Sequence, residues 1–188
     1  MKDAKEWDLK FMDAARHFGT WSKCLSRKIG AILVRDKTII STGYNGPPRG
    51  VPHCDEARRI DEIKKILESR GGSHKIDNTI EWLMKHRGNC PRKILGASSG
   101  EMLYLCQAGH AERNAIVNAA REGVVTKGAD LYCYSPLPCL ECAKSIINAG
   151  IKRVFYLNEN YDSMAGWLFM YAGVNTTPIL KTAVKDIT

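Results

Sequence analysis

The chain has 188 residues, a net charge of +8 and an apolar fraction of 44%, which suits one domain with a full hydrophobic core or one domain with an insertion. No apolar run approaches the roughly 20 residues of a membrane-spanning helix, and the first residues lack the apolar segment of a signal peptide. We therefore expect a cytoplasmic protein with no membrane partner, whose seven cysteines are free thiols or metal ligands. The positive charge favours a phosphorylated or polyanionic partner, or is only a solubilising surface.

The amino-terminal part of the chain predicts a helix followed by a β-hairpin. Apolar residues recur at three- and four-residue steps from about Ala4 to Phe18, which is typical of an amphipathic helix. Two apolar runs follow, Lys28 to Val34 and Thr38 to Gly43, and the charged residues between them indicate a hairpin turn. A glycine- and proline-rich segment then ends the second strand.

The composition shifts towards charge from Asp55 to about Gly88. Apolar residues fall on one helical face before Gly71 and Gly72, and on a second face after them. We predict a single domain over residues 1–188 with a helical insertion at about residues 55–88. The insertion either caps the site or a subunit contact, or is a solvated excursion with no role in chemistry.

The carboxyl-terminal part alternates between helix and strand. The predicted helices are His110 to about Glu122, Cys139 to Ala149 and Ser163 to Tyr171, and the predicted strands are Asp130 to Ser135 and Arg153 to Leu157. Such alternation favours parallel strands with helices on both faces of a sheet. Helix starts then lie at the edge of the sheet where open folds of this kind bind ligands.

A histidine and two cysteines lie at two of these predicted helix starts. His110 is 29 residues before Cys139 (139 − 110 = 29), and Cys139 and Cys142 belong to the segment Pro138-Cys139-Leu140-Glu141-Cys142. One imidazole and two thiolates are the ligands of a zinc ion whose fourth position stays open for water. Glu112 is well placed to handle the protons of that water. The pattern resembles that of zinc nucleobase deaminases, whereas a purely structural zinc would leave Glu112 without a task.

Further motifs resemble, in order, those of the deoxycytidylate (dCMP) deaminase family in the cytidine deaminase superfamily. They are Trp7-Asp8 with Phe11-Met12, Lys28-Ile29-Gly30-Ala31, Gly43-Tyr44-Asn45-Gly46, the segment from His110 to Ile116, the segment from Pro138 to Lys144, and Ala149-Gly150-Ile151-Lys152. The resemblance covers nearly the whole chain except the insertion. It implies a three-layer α/β/α fold around a mixed five-stranded sheet, in a homo-oligomer that is commonly a hexamer.

The resemblance also implies the reaction. A small-molecule nucleotide, dCMP, would be hydrolysed to dUMP and ammonia, which supplies dUMP for thymidylate synthesis. The zinc would lower the pKa of bound water from about 16 to around 7, and Glu112 would pass a proton to ring N3 and later protonate the departing amine. Asn45 is expected to hydrogen-bond the deoxyribose, or only to serve a turn. Backbone groups near Ala111 and Ser135 are expected to hold the base.

Other candidate residues concern the phosphate group and regulation. Arg27 and Lys28 are candidates to neutralise the 5′-phosphate and Tyr161 to close over the ligand, with an ordinary surface role as the alternative for each. The segment Gly43-Tyr44-Asn45-Gly46 and Arg121 resemble positions that bind the effectors dCTP or dTTP in regulated relatives. Arg121 at a helix end also suits the helix dipole without any ligand.

Four more cysteines suggest a second, structural zinc. Some bacterial, archaeal and phage relatives resemble this chain in carrying one near these positions. Cys24, Cys90, Cys106 and either His53 or Cys54 would complete four ligands, the closed coordination of a structural site. The alternative is a set of scattered buried thiols.

Two other functions remain open from the sequence. A tRNA adenosine deaminase shares the His110 and Cys139 motifs, but the Gly43-Tyr44-Asn45-Gly46 segment argues against it. A non-catalytic competence or scaffold protein stabilised by zinc would not require Glu112. Nucleic acid is an unlikely partner, since no basic stretch is interleaved with aromatic residues.

Overall fold

The computed structural model describes residues 6–56, 58–69, 81, 85, 88–98, 100–158 and 163–185. In chain order its elements are α1 (Glu6–Gly19), β1 (Gly30–Arg35), β2 (Thr38–Tyr44), α2 (Arg58–Ser69), α3 (Pro91–Ile94), a 3₁₀ turn (Leu103–Leu105), α4 (Ala111–Arg121), β3 (Asp130–Cys133), α5 (Leu140–Asn148), β4 (Arg153–Leu157), α6 (Ser163–Tyr171), β5 (Asn175–Ile179) and α7 (Lys181–Lys185). None of the described helices has the length and apolar character that crossing a bilayer requires.

These elements form two compact units. The first unit comprises Met1–Ser22, Ile29–Asn45 and His110–Thr188, and the second comprises Lys23–Lys28 and Gly46–Gly109. The second unit therefore begins before the predicted insertion at residues 55–88 and continues beyond it. The assignment of the chain to a single domain stays a prediction.

The first unit is built on one mixed five-stranded sheet with the order β2-β1-β3-β4-β5. Strand β1 runs antiparallel to both β2 and β3, while β3, β4 and β5 are mutually parallel. The β1–β2 hairpin turns at Asp36 and Lys37, whose φ angles of 50° and 59° are those of a two-residue hairpin turn that follows the twist of the strands. The predicted mixed sheet is confirmed.

The alternation of side chains along the strands gives the sheet two buried faces. One face packs against α4, α5 and α6, and its strand residues are Ala31, Leu33, Leu131, Cys133, Val154 and Tyr156. The other face packs against α1 and α7, and its strand residues are Ile32, Val34, Tyr132, Phe155, Leu157 and Ile179. Helices cover both faces, which confirms the predicted three-layer α/β/α fold.

The second unit has a small core of its own. Ile63 and Leu105 are buried there, and apolar residues of α2 and α3 pack around them. The buried guanidinium of Arg59 donates a hydrogen bond to the carbonyl oxygen of Leu105. The first helix of the predicted insertion is thus present as α2. The second predicted helix lies almost wholly outside the described residues, so the helical hairpin stays a prediction.

Candidate active site

His110 and Cys139 occupy equivalent places in the first unit. Each has an extended backbone and is the residue immediately before a helix, His110 before α4 and Cys139 before α5. Cys142 is buried in the first turn of α5. The two helix starts bring Nδ1 of His110 to 3.5 Å from Sγ of Cys139 and 3.3 Å from Sγ of Cys142.

These distances fit a zinc ion. The three ligand atoms all lie within 4.8 Å of one another, and among the described residues they form the group that could hold a metal. Bonds of about 2.0–2.1 Å to nitrogen and about 2.3 Å to sulfur place neighbouring ligands of a tetrahedral zinc about 3.6 Å apart, close to both nitrogen–sulfur distances found here. Three protein ligands leave one tetrahedral position open, as in catalytic zinc sites.

Cys139 and Cys142 can both be deprotonated only when a cation is bound between them. Hydrogen bonds from Cys142 and His110 lower the pKa of Cys139 to about 3. The neighbouring Cys139 sulfur and burial raise the pKa of Cys142 instead. Two adjacent sulfurs therefore share one proton, and a divalent cation removes it because metal binding requires deprotonated ligands. The hydrogen bond with Cys139 also raises the pKa of His110, against the effect of burial.

Glu112 lies in the first turn of α4 and is only 4% exposed. Burial raises the pKa of its carboxyl group, while hydrogen bonds from its own backbone amide and from the Cys133 thiol oppose the rise. The charges of His110 and Cys139 also act on this pKa, which places the carboxyl group near the metal ligands. A carboxyl group with a raised pKa is suited both to take and to release a proton near neutral pH.

Polar side chains that the sequence analysis missed hold α4 against β2. The amides of Asn114 and Asn118 donate to carbonyl oxygens of β2 at 2.8 and 2.9 Å. The hydroxyl of Ser41 donates at 2.7 Å to a carbonyl oxygen of α4. These bonds fix the helix whose first turn carries Glu112. Two asparagines four residues apart share one helix face, which was the available signal in the sequence.

Gly43 in β2 lets α4 approach the sheet closely. A Cβ atom at this position would lie 2.3 Å from the carbonyl oxygen of Ala111 and 2.4 Å from the amide nitrogen of Ala115. Both distances are far below van der Waals contact, so only glycine fits beneath the first turns of α4. Gly43 thus has a packing role in the predicted effector segment, and binding of dCTP or dTTP there stays a prediction.

The predicted substrate-binding residues of the first unit are buried and engaged within the protein. The side-chain oxygen of Asn45 accepts a hydrogen bond from the Ile29 amide at 2.8 Å. The Ser135 amide donates to the Cys133 carbonyl, and the Ser135 carbonyl accepts from Leu157, both at 2.8 Å. Ala111 is fully buried at the start of α4. The contacts of Asn45 with deoxyribose and of Ala111 and Ser135 with the base stay predictions.

The remaining single candidates are Arg27, Lys28, Tyr161 and Arg121. Arg27 and Lys28 are exposed residues of the second unit, and Tyr161 lies outside the described residues. Arg121 at the end of α4 pairs with Glu122 at 2.8 Å. Their proposed contacts with phosphate, ligand or effector stay predictions.

All four candidate cysteines of the second metal belong to the second unit. Burial raises the pKa of Cys54 to about 11, and the charges of Cys24, Cys90 and Cys106 add to the rise. The charges of all three other cysteines thus act on Cys54. His53 instead contacts Glu56: its amide donates to the Glu56 carboxylate at 2.8 Å, and its carbonyl oxygen accepts from the Glu56 amide at 3.1 Å. In the described part of the chain, these cysteines do not form a second group as compact as that of His110.

Comparisons with known proteins agree with this geometry. The family model described as "Cytidine and deoxycytidylate deaminase zinc-binding region" matches residues 5–158. A deoxycytidylate deaminase of Schizosaccharomyces pombe is 36% identical over 169 residues, which cover 89% of this chain but only 42% of that protein. A deoxycytidylate deaminase of Enterobacteria phage T2 is 33% identical over 175 residues, covering 88% of each. The crystal structure of dCMP deaminase from cyanophage S-TIM5 with dCMP and dUMP has a TM-score of 0.63 and 25% identity, covering 94% of this chain and 98% of that one.

Replacement of Gly43 by alanine tests whether the contact between β2 and α4 positions the metal ligands. The added Cβ must push α4 away, so we expect Gly43→Ala to lower the free energy of unfolding by about 2 kcal/mol or more and to reduce zinc content. Val117→Ala, on the same helix but 61% exposed, is the control and should change stability by less than about 0.5 kcal/mol. Urea denaturation and metal analysis make the comparison. Unchanged stability and zinc content in Gly43→Ala would contradict this role.

Proposed function

This chain belongs to the cytidine and deoxycytidylate deaminase family, and on that premise we propose that it hydrolyses dCMP to dUMP and ammonia. The observation that carries the proposal is the meeting of His110, Cys139 and Cys142 near a buried Glu112. Two relatives that match 88% or more of the chain are named deoxycytidylate deaminases. A solved relative holds dCMP and dUMP, which supports the choice of substrate.

His110, Cys139 and Cys142 would hold the zinc ion. When bound, zinc supplies Lewis acidity that lowers the pKa of a water molecule from about 16 to about 7. The helix starts that carry these ligands also favour the thiolate forms, because the positive end of a helix dipole stabilises nearby negative charge. With the zinc bound, these residues would hold both sulfurs as thiolates at one point.

Glu112 moves the protons of the reaction. The water oxygen bonds to C4 of cytosine, and Glu112 transfers a proton of that water to ring N3. The second proton goes to the amino group, so that the C4–N bond breaks and ammonia leaves. Each transfer returns Glu112 to its starting state, which is the behaviour of a general acid–base group. Burial supports this role because it raises the pKa of the carboxyl group towards neutrality.

We also propose a metabolic role, a cellular location and an oligomeric state for the enzyme. Its product dUMP would supply thymidylate synthesis, with the protein in the cytoplasm as a homo-oligomer. None of the seven cysteines forms a disulfide, which supports a reducing compartment.

A substrate panel tests the proposed reaction directly. We expect ammonia release and the ultraviolet change of deamination with dCMP, weaker turnover with deoxycytidine, and none with tRNA. Equal turnover of deoxycytidine and dCMP would show that the enzyme does not recognise the 5′-phosphate. Turnover of tRNA alone would identify an adenosine deaminase, and inactivity on every substrate would favour a scaffold protein. Either of these last two outcomes would overturn the proposal.

Replacement of Glu112 by glutamine tests the proton transfer. We expect Glu112→Gln to retain zinc and to lower kcat by at least about 10²-fold, because general acid–base catalysis contributes about 10²–10⁴-fold. The matched control is Glu141→Gln in α5, whose carboxylate is exposed and pairs with Lys144 at 2.5 Å. The control should keep the wild-type kcat. Near-normal activity of Glu112→Gln would exclude Glu112 from the mechanism.

We also propose a second, structural zinc in the second unit, bound by Cys24, Cys54, Cys90 and Cys106. The electrostatic interaction of Cys54 with the other three supports this ligand set over one with His53. Four sulfurs give the closed coordination of a structural zinc. A metal would also remove the proton that burial holds on Cys54.

Metal analysis tests the second zinc. We expect two zinc ions per wild-type chain and one in Cys90→Ser, with a lower midpoint of thermal unfolding because structural zinc contributes to folding. His53→Ala should keep both ions and serves as the control. One zinc ion per wild-type chain would refute the second site. Loss of one zinc ion in His53→Ala would identify His53 as a ligand in place of Cys54.

A further inference from the structure

We propose that Ser22 is a positioning residue that fixes Asn45 in the orientation with which it binds the sugar of the nucleotide. This inference rests on the proposed function and on the expected contact of Asn45 with the deoxyribose. It assigns a task to a buried serine that follows α1 and that belongs to none of the predicted sites.

Asn45 lies beside the start of α4, the helix whose first turn carries the candidate catalytic carboxyl group. It directly follows β2. A Cβ atom on Gly43 would lie 2.3 Å from the carbonyl oxygen of Ala111, and the carbonyl oxygen of Tyr44 accepts a hydrogen bond from the Asn114 side chain at 2.8 Å. Both contacts are made with the first turns of α4. The end of β2 therefore places Asn45 next to the helix start at which a nucleotide would bind.

Hydrogen bonds hold both the main chain and the side chain of Asn45. Its amide donates to the carbonyl oxygen of Ile29 at 3.0 Å, and its carbonyl oxygen accepts from the Ser22 hydroxyl at 2.6 Å in a buried bond. The amide of Ile29 donates to Oδ1 of Asn45 at 2.8 Å. Because an N–H group only donates, this last bond fixes which end of the side-chain amide is the oxygen. The side chain of Asn45 thus has one orientation relative to the residue that precedes β1.

The Ser22 bond restrains the part of Asn45 that the Ile29 bonds leave free to rotate. A residue has two soft backbone dihedrals, φ and ψ. The amide bond to Ile29 restrains the peptide plane before Asn45, whereas the Ser22 hydroxyl restrains the plane after it. These two planes together set the direction in which the side chain leaves the backbone. Without the hydroxyl, a buried carbonyl oxygen loses this donor, and the cost of that loss favours rotation of the Asn45 backbone towards another partner.

Ser22 is suited to this task because the end of α1 fixes its own position. Its amide donates to the carbonyl oxygen of Gly19, the last residue of α1, at 3.1 Å. Gly19 packs directly on Gly30, the first residue of β1, since a Cβ atom on Gly30 would lie 2.3 Å from the Gly19 amide nitrogen. Ser22 is therefore held relative to the same strand that Ile29 precedes.

The alternative is a purely structural role. Ser22 and Asn45 each end a segment of the first unit, and Ile29 begins one, so their hydrogen bonds would also hold these chain ends together in the absence of a ligand. The two roles differ in the substrate group that they affect. The sugar of dCMP has one hydroxyl, at C3′, and a positioning role for Ser22 concerns recognition of that group. A general loosening of the protein would affect turnover of every substrate alike.

A comparison of dCMP with 2′,3′-dideoxycytidine 5′-monophosphate, which lacks this hydroxyl, separates the two roles. We expect the wild-type kcat/KM to favour dCMP by about 10-fold or more, because a site built to bind a hydroxyl rejects the analogue without it. Ser22→Ala should lower this preference by about threefold or more, mainly through a higher KM for dCMP, since loss of ground-state binding leaves kcat unchanged. Ser22→Cys has a similar shape but a weak donor, so it should act in the same direction and replaces Ser22→Ala if that variant does not fold.

Two further variants serve as controls. Thr126→Val removes another hydroxyl-to-carbonyl bond of the first unit, which is 2.8 Å long and is made to Ala149 at the end of α5. Ala149 lies about 15 Å along α5 from its start, so this variant should lose stability in urea denaturation but keep the wild-type preference for dCMP. Asn45→Ala should abolish the preference.

Failure of this inference is distinguishable from failure of the proposed function. A wild-type protein that does not deaminate dCMP would refute both. Deamination without any preference for dCMP, or a preference retained in Asn45→Ala, would refute the sugar contact and the task of Ser22 but leave the proposed reaction intact. A wild-type preference in folded Ser22→Ala and Ser22→Cys would refute the positioning role alone, as would an equal loss of preference in Thr126→Val.

Discussion

One imidazole nitrogen lies 3.3–3.5 Å from two sulfurs, and this approach depends on two helices that begin at the same place. The ligands come from segments 29 residues apart, so neither helix can form the group alone. The parallel pairing of β3 with β4 and the packing of α4 and α5 on one sheet face bring the two starts together. At that point both helices direct their positive ends towards the sulfurs, where negative charge is stabilised. The metal site is therefore a consequence of the sheet order.

The same arrangement buries the Glu112 carboxyl group in a place where its ionised form is unfavourable. Glu112 is nearly inaccessible to solvent, and burial of a charge without partners is unfavourable. Burial and the charge of Cys139 raise the pKa of Glu112, whereas the hydrogen bond from its own backbone amide, the charge of His110 and the interaction with Cys133 lower it. Rigidity comes from the asparagine bonds between α4 and β2 and from the glycine contact beneath the helix. The proposed proton transfer requires a carboxyl group that keeps its orientation, and residues that do not react supply this support.

Regular, local patterns made much of the fold predictable from the sequence. The bounds of β4 and α6 agree with prediction because each is a short apolar segment with clear limits, and α6 ends before Gly173, which has a φ of 69°. Strand β5 was not predicted from its residues, because Asn175–Ile179 is largely polar and contains Pro178. It forms at the sheet edge by pairing with β4, where proline is tolerated. The helices α3 and α7, with four and five residues, are too short to show a helical period.

The metal ligands were predictable because the types and spacing of these residues in the sequence are typical of a zinc site. The residues packed around them were not predictable. Asn114 looks like an ordinary polar helix residue in the sequence, since its hydrogen bond to Tyr44, 70 residues away (114 − 44 = 70), exists only once β2 and α4 pack. Gly43 likewise reads as a turn residue until the distance to α4 is known. Such non-local contacts decide function but leave no periodic signal.

The most direct test of the zinc site is a crystal structure with anomalous diffraction data measured on both sides of the zinc absorption edge. We expect an anomalous peak about 2.0–2.1 Å from Nδ1 of His110 and about 2.3 Å from both sulfurs, with one open position. A zinc-loaded protein with no peak at these three residues, or with a fourth protein ligand closing the site, would contradict this expectation.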